Sequence, residues 1–231
     1  MKAWSRSIAI LFILALAPAG AAAQSTEGFY ASLGGMYVLP SESNASDELD
    51  DWKLTGKVPL ENGPGFVAAI GYETRSGLRA EIEIGYRTSS WDKFEDLHLT
   101  YDGEEVLSDD LEAEAEGDLT TMSMMANGIY AFDASWSVRP YIGVGVGFAK
   151  HEVSVDDLIV TVDGAEYEFE DDSSDDTVFA YQVMVGFAYP FSEQAEARLG
   201  YRYFATGEAD FDGTEADYGS HNVEAGILFR F

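Results

Sequence analysis

Apolar and polar residues alternate at period two along eight separate stretches of this chain. Such alternation places the two sets on opposite faces of a strand. The clearest stretch runs from Leu78 to Arg87, where Leu78, Ala80, Ile82, Ile84 and Tyr86 alternate with Arg79, Glu81, Glu83, Gly85 and Arg87. Five apolar positions against four charged ones leave little room for a helix. The last stretch puts Val223, Ala225, Ile227, Phe229 and Phe231 on one face and Asn222, Glu224, Gly226 and Arg230 on the other. Further strands are predicted over about residues 28–39, 65–74, 119–132, 138–149, 178–189 and 196–203. Their apolar faces carry, among others, Leu33 and Tyr37, Ile70 and Tyr72, Met122 and Met124, Val144 and Phe148, Val183 and Phe187, and Leu199 and Tyr201. The stretch 119–132 is the least regular.

The polar face decides the environment. A soluble β-sandwich, the alternative, would have to bury Arg and Glu in its core without water to solvate them. Apolar residues outside and polar residues inside is instead the arrangement of a barrel in lipid. The connections support it: three are about five residues long and four are long and acidic, as in outer-membrane barrels with short periplasmic turns and long outer loops. Aromatics such as Tyr37, Tyr72, Tyr86, Tyr130, Phe148, Tyr189, Tyr203 and Phe231 fall near strand ends, where interfacial girdles belong. The expected fold is all-β: an eight-stranded, antiparallel, up-and-down transmembrane β-barrel with four long acidic extracellular loops and short periplasmic turns. Both termini lie at the periplasmic end, as an even strand count requires.

Charge sharpens this picture. The chain carries a net charge of −29, and segments 40–63, 88–118, 150–177 and 205–219 hold 34 of its 42 acidic residues. Only Lys53, Lys57, Lys93 and Lys150 offset them there. This acidic crown argues against nucleic-acid binding, which needs a basic footprint, and against docking on anionic lipid. It suits attraction of cations or of a host or surface ligand, or simple solubility in salty surroundings. Tyr101-Asp-Gly-Glu-Glu105, Val162-Asp-Gly-Ala-Glu166 and Phe211-Asp-Gly-Thr-Glu215 each centre on a dipeptide that favours a type I′ turn. Flanks such as Leu97–Tyr101 and Leu158–Val162 could carry barrel strands beyond the membrane. Calcium at these loops stays open as an alternative, although the ligand spacing matches no EF-hand.

Residues 1–23 read as a signal peptide: Lys2 and Arg6, then an apolar run from Ile8 to Ala17, then Ala21-Ala22-Ala23 before cleavage. A retained N-terminal anchor is the alternative. Residues 24–231 form the expected barrel domain. With no cysteine there is no disulfide and no thiolate metal site, and no cofactor is expected.

The inward-facing set is the most specific constellation: Arg79, Glu81, Glu83, Arg87, Arg139, Gln182, Glu196, Arg198, Arg202, Glu224 and Arg230. It contains six of the eight arginines, while the loops use lysine alone. Arginine makes forked pairs with carboxylates, which suits a packed charged interior. An eight-stranded barrel is just wide enough for side chains to fill, so a structural plug of salt bridges is the first reading and a narrow pore the second. An enzyme needs a nucleophile, base and orienting acid in mutual reach. The only histidines are His98, His151 and His221, and Ser220 beside His221 is adjacent in sequence only. No catalytic or metal residues are assigned.

Arg79-Ala-Glu-Ile-Glu-Ile-Gly-Tyr-Arg87, Arg139-Pro-Tyr-Ile-Gly-Val-Gly-Val-Gly147, Ala180-Tyr-Gln-Val-Met-Val-Gly186, Arg198-Leu-Gly-Tyr-Arg-Tyr203 and the terminal Phe231 resemble the small eight-stranded outer-membrane β-barrel family. That family includes opacity-like surface antigens and the transmembrane domain of OmpA-type porins. The resemblance covers nearly all of residues 24–231 and implies a Gram-negative outer-membrane location, contact with outer-membrane lipid and a monomer. It also implies that Phe229 and Phe231 serve as the signal read by the barrel-assembly machinery. It carries over no activity, because the family's loops diverge freely, and the periplasmic peptidoglycan-binding domain of full OmpA-type proteins has no counterpart here. The expected role is structural or surface-interacting. A porin-like diffusion channel is the alternative, and a lipid-modifying enzyme comes third.

Overall fold

Side chains that alternate between lipid and lumen hold the backbone extended, and every predicted stretch forms a strand. The computed structural model describes residues 27–41, 43–49, 52–91, 95–101, 104–107, 113–132, 137–162, 165–169, 172–207, 209–211, 214–216 and 218–231. The wall consists of β1 (Gly28–Pro40), β2 (Gly63–Glu73), β3 (Leu78–Trp91), β4 (Ala113–Ala131), β5 (Arg139–Val162), β6 (Asp172–Pro190), β7 (Ala195–Thr206) and β8 (Gly219–Arg230). Each pairs antiparallel with its neighbours in the chain. β1 also pairs with β8, Leu33 opposite Ile227, and this closes the sheet on itself. A closed barrel has no unpaired edge, which is what a strand needs to cross lipid. The signal segment lies outside the described residues.

The two faces fall in the predicted phase. Leu33 is 68% exposed, Ile84 61% and Phe148 63%, whereas Arg79 and Glu196 are fully buried. The irregular stretch keeps the same phase, with Met122 and Met124 outward and Met125 inward.

The short turns are built locally. At the β2–β3 turn the Thr74 amide donates to the Leu78 carbonyl, and Gly77 takes φ of 82°. That left-handed value favours glycine, and a Cβ at this position would also run into the Ala131 carbonyl oxygen. At the β6–β7 turn Ser192 Oγ accepts from the Gln194 and Ala195 amides (3.3 and 2.9 Å). Residues 133–136 of the third short turn lie outside the described set.

The long segments differ from the expectation of plain loops. β4, β5 and β6 continue well past the apolar alternation, and residues 165–169 pair antiparallel with 158–162 of β5, Phe169 opposite Leu158. Strands 43–49, 52–58, 95–101, 104–107, 209–211 and 214–216 form a second, six-stranded sheet drawn from three different loops. Leu97–Tyr101 therefore belongs to this second sheet rather than to a barrel strand. Backbone ladders need no apolar face to persist in water, so hydrophobic alternation marks the membrane span and not the strand's end. The three Asp-Gly dipeptides and the side chains of His98 and most loop acids fall outside the described residues.

Candidate functional site

Eight strands enclose a lumen that side chains can fill, and its contents are layered. At the end bearing the short turns, Glu73 ends β2, Arg79 opens β3, Arg139 opens β5, Glu196 opens β7 and Arg230 ends β8. Their shared level makes two carboxylates meet three guanidiniums. Arg79 Nη1 lies 2.7 Å from Glu196 Oε1, and its Nη2 lies 3.3 Å from Glu73 Oε2. Arg230 donates to Glu73 Oε2 from Nε and Nη2 (3.0 and 2.8 Å) and to Glu196 Oε2 from Nη2 (2.6 Å). Arg139 Nη2 completes the ring at 3.0 Å from Glu73 Oε1. Bidentate and shared geometry of this kind is what offsets the large desolvation cost of buried ions.

A second network spans the middle. Arg202 grips Glu83 with both terminal nitrogens and reaches Glu224 Oε2 at 2.8 Å. Gln182 Nε2 donates to Glu83 Oε1 and Asn127 Oδ1 (3.2 and 2.7 Å), and Asn127 Nδ2 donates to Glu81 Oε1 at 3.0 Å. The Tyr30 hydroxyl donates to the other Glu81 oxygen at 2.7 Å. Arg198 lies over the Tyr141 ring, 4.8 Å from its centroid. Between and above these groups sit apolar layers: Ile129, Tyr141 and Met184 below, and Trp91, Leu119, Met125, Phe204 and Tyr218 towards the long loops.

Arg87 lies under the upper layer, its guanidinium carbon 3.9 Å from the Phe204 ring centroid and its Nη1 donating to Ser123 Oγ at 3.1 Å. Above it, His151 bridges two threonines, Nδ1 to Thr121 Oγ1 at 2.9 Å and Nε2 to Thr206 Oγ1 at 3.3 Å, with its ring against Tyr218. Its chain neighbour Lys150 points outward and pairs with Asp175 at 3.1 Å. An outward ion pair at that height places His151 beyond the hydrocarbon. Burial pushes its imidazole down to about 4, the Arg87 charge adds to the fall, and Asp176 opposes it.

All eleven predicted inward residues lie on the buried face. Sequence reasoning missed Glu73, which joins both the Arg79 and Arg230 pairs. The signal was present, because Glu73 keeps phase with Gly65, Val67, Ala69 and Gly71, but its place beside the turn hid it. It also missed the apolar lumen residues, whose hydrophobicity breaks the expected alternation: Phe204 follows Tyr203, and Ile129 precedes Tyr130. Ser220 faces the lumen and His221 faces outward, where its Nδ1 meets the Tyr201 hydroxyl at 2.5 Å. The two side chains therefore stand on opposite sides of the wall.

The family model described as "Outer membrane protein beta-barrel domain" matches residues 8–231. A Rickettsia conorii protein named "Putative adhesin RC1281" is 26% identical over 196 residues, covering 78% of this chain and 73% of its own length. Among solved structures, Neisserial surface protein A is similar at 20% identity and a TM-score of 0.50, with 88% of this chain and 97% of that one covered. The outer membrane protease OmpT of Escherichia coli is similar at 8% identity and a TM-score of 0.51, with 91% of this chain and all of that one covered. At such identities these two structures share the fold alone.

Proposed function

We propose a structural and surface-interacting role from one premise: the chain belongs to the outer membrane protein beta-barrel domain family. Its place is the bacterial outer membrane, and the outward apolar face contacts lipid there. In this reading the barrel is a closed wall that anchors an acidic platform above the membrane. The observation that carries it is the filled lumen. Ionic networks and apolar layers succeed one another from Glu73 to Tyr218, which favours a wall over a diffusion channel. The acidic segments that rise beyond the wall supply the surface role, towards cations or basic surface ligands. The Rickettsia conorii relative, whose name is "Putative adhesin RC1281", is consistent with that direction.

Two measurements test this. Purified protein in planar bilayers should give no steady unitary steps, whereas regular steps would favour the channel. Cells expressing the protein should adhere to an immobilised basic protein more than non-expressing cells do, with adhesion falling as salt rises. Equal adhesion by both cells would remove the surface role.

For Phe229 and Phe231 we propose the assembly signal. Phe231 is 78% exposed at the end of the chain, open to a recognising partner. Deleting Phe231 should lower the yield of folded barrel in cells while leaving detergent refolding intact. Equal losses in both would make its role purely structural.

A further inference from the structure

A buried imidazole ties the upper lumen together. His151 is 1% exposed and stands in register with Thr121 of β4 on one side and Asp176 of β6 on the other. Its bond to Thr206 passes over β6 to β7, and the Thr206 amide donates in turn to the Tyr218 carbonyl at 2.9 Å. One side chain therefore links β4, β5 and β7 with the chain entering β8. The hydrogen bonds assign its tautomer. Thr206 Oγ1 donates to the Tyr218 carbonyl (3.5 Å), so it accepts from Nε2–H, and the Thr121 hydroxyl donates to Nδ1. The neutral ring is thus satisfied at both nitrogens. Its face packs on Tyr218, which meets Phe204 edge-on with 6.3 Å between ring centroids.

Protonation at Nδ1 brings a charge into this apolar layer, which disfavours it. The groups that face the ring are unequal. Arg87 of β3 lies below it, and the glutamates that act on Arg87, Glu83 and Glu224, belong to the middle network further down. Asp176 is the carboxylate on the other side, half-buried, with Oδ1 accepting from the Thr177 amide at 2.6 Å. Thr121 and Thr206 carry no charge, burial pushes the Tyr218 phenol up so that it stays neutral, and Lys150 and Glu152 of β5 face outward. An imidazolium here is repelled from below and drawn towards Asp176 and water. Moving there takes it off the face of Tyr218.

We propose that His151 is an acid-released latch: on protonation it swings towards Asp176, frees the layer of Phe204 and Tyr218, and admits water to the lumen as far as Arg87. The ring of Glu73 and Glu196 stays engaged with its three arginines, so this access does not become conduction. The open form binds one proton more than the closed form. Its population therefore rises about tenfold per pH unit as pH falls below the 6.5 of an ordinary histidine. The chain has no cysteine, so Ser89→Cys, buried on the inward face of β3 between Arg87 and Trp91, gives a unique probe of the upper lumen. Its reaction with 4,4′-dithiodipyridine, a disulfide reagent that works in acid, is followed in detergent and divided by the rate of a free thiol at each pH. Rates are taken only where unheated samples keep the folded mobility on gels. The ratio should rise about tenfold per pH unit with His151 present and stay flat when His151→Gln is added. A flat ratio with His151 present, or an equal rise in both proteins, would overturn the latch. If His151→Gln does not fold, Asp176→Asn takes its place: the rise should move to lower pH, and an unmoved rise refutes the proposal.

Discussion

At the scale of single residues, the lumen chemistry makes opposite demands on its charged groups. Glu73 and Glu196 share the same three arginines, so neutralising one leaves three buried guanidiniums on a single carboxylate. Glu73→Gln should destabilise the barrel by roughly 3–5 kcal/mol, the usual cost of breaking a buried pair, measured as a lowered urea midpoint. A loss well below 1 kcal/mol would mean that water reaches this ring. His151 works in the other direction, because its folded pKa of about 4 lies below the ordinary 6.5. The unfolded chain then binds the proton first. Its contribution is complete above pH 6.5 and is lost as pH falls towards 4, a change of roughly 3 kcal/mol. Stability should drop across that window in the wild type, and the drop should be shallower in His151→Gln. Parallel pH curves for the two proteins would show that the imidazole is not held neutral.

At the scale of elements, strand phase was legible and strand content was not. The alternation around Ile82 and Glu83 predicts which side chain meets lipid, because lipid and lumen differ so sharply in what they tolerate. Packing inside the lumen leaves a weaker trace. Tyr141 lies across Gly186 and Gly200, which pair with each other on β6 and β7. In sequence these read only as small inward residues. A Cβ at Gly186 would stand 2.5 Å from the Tyr141 ring carbon and hydroxyl, so the glycines form the seat for that ring. Gly186→Val should therefore destabilise the barrel by about 1–3 kcal/mol, as overpacking does. Tyr141→Ala should recover part of the loss in a double-mutant cycle. Purely additive losses would separate the glycine from the tyrosine. The loop sheet was illegible for another reason: its ladder joins segments far apart in the chain, such as Thr214–Ala216 with Asp47–Ala45, and charged strands carry no apolar alternation.

At the scale of the whole molecule, the proposed closed wall raises the question of what would keep the lumen shut. Two kinds of barrier lie in series, the ring of Glu73, Arg79, Arg139, Glu196 and Arg230 at one end and, beyond it, the apolar layers of Ile129, Tyr141 and Met184 and of Trp91, Leu119, Phe204 and Tyr218. They differ in physics. The first bars ions through fixed, mutually engaged charges, and the second through apolar bulk. The middle network of Arg202, Glu83, Gln182 and Asn127 is polar, and Gly143, Gly145 and Gly147 line its level without side chains. Barriers in series conduct only when both fail. Phe204→Ala with Trp91→Ala should leave bilayers silent, and so should Arg79→Ala with Glu196→Ala, each pair keeping one barrier. The four substitutions together with Tyr141→Ala, which opens the layer of Ile129 and Met184, should produce unitary steps that neither pair produces. Steps from the aromatic pair alone would mean that the charged ring passes ions and closes nothing. The closed wall would then rest on its aromatic layer, and a natural channel would need only movement of the loops above Trp91.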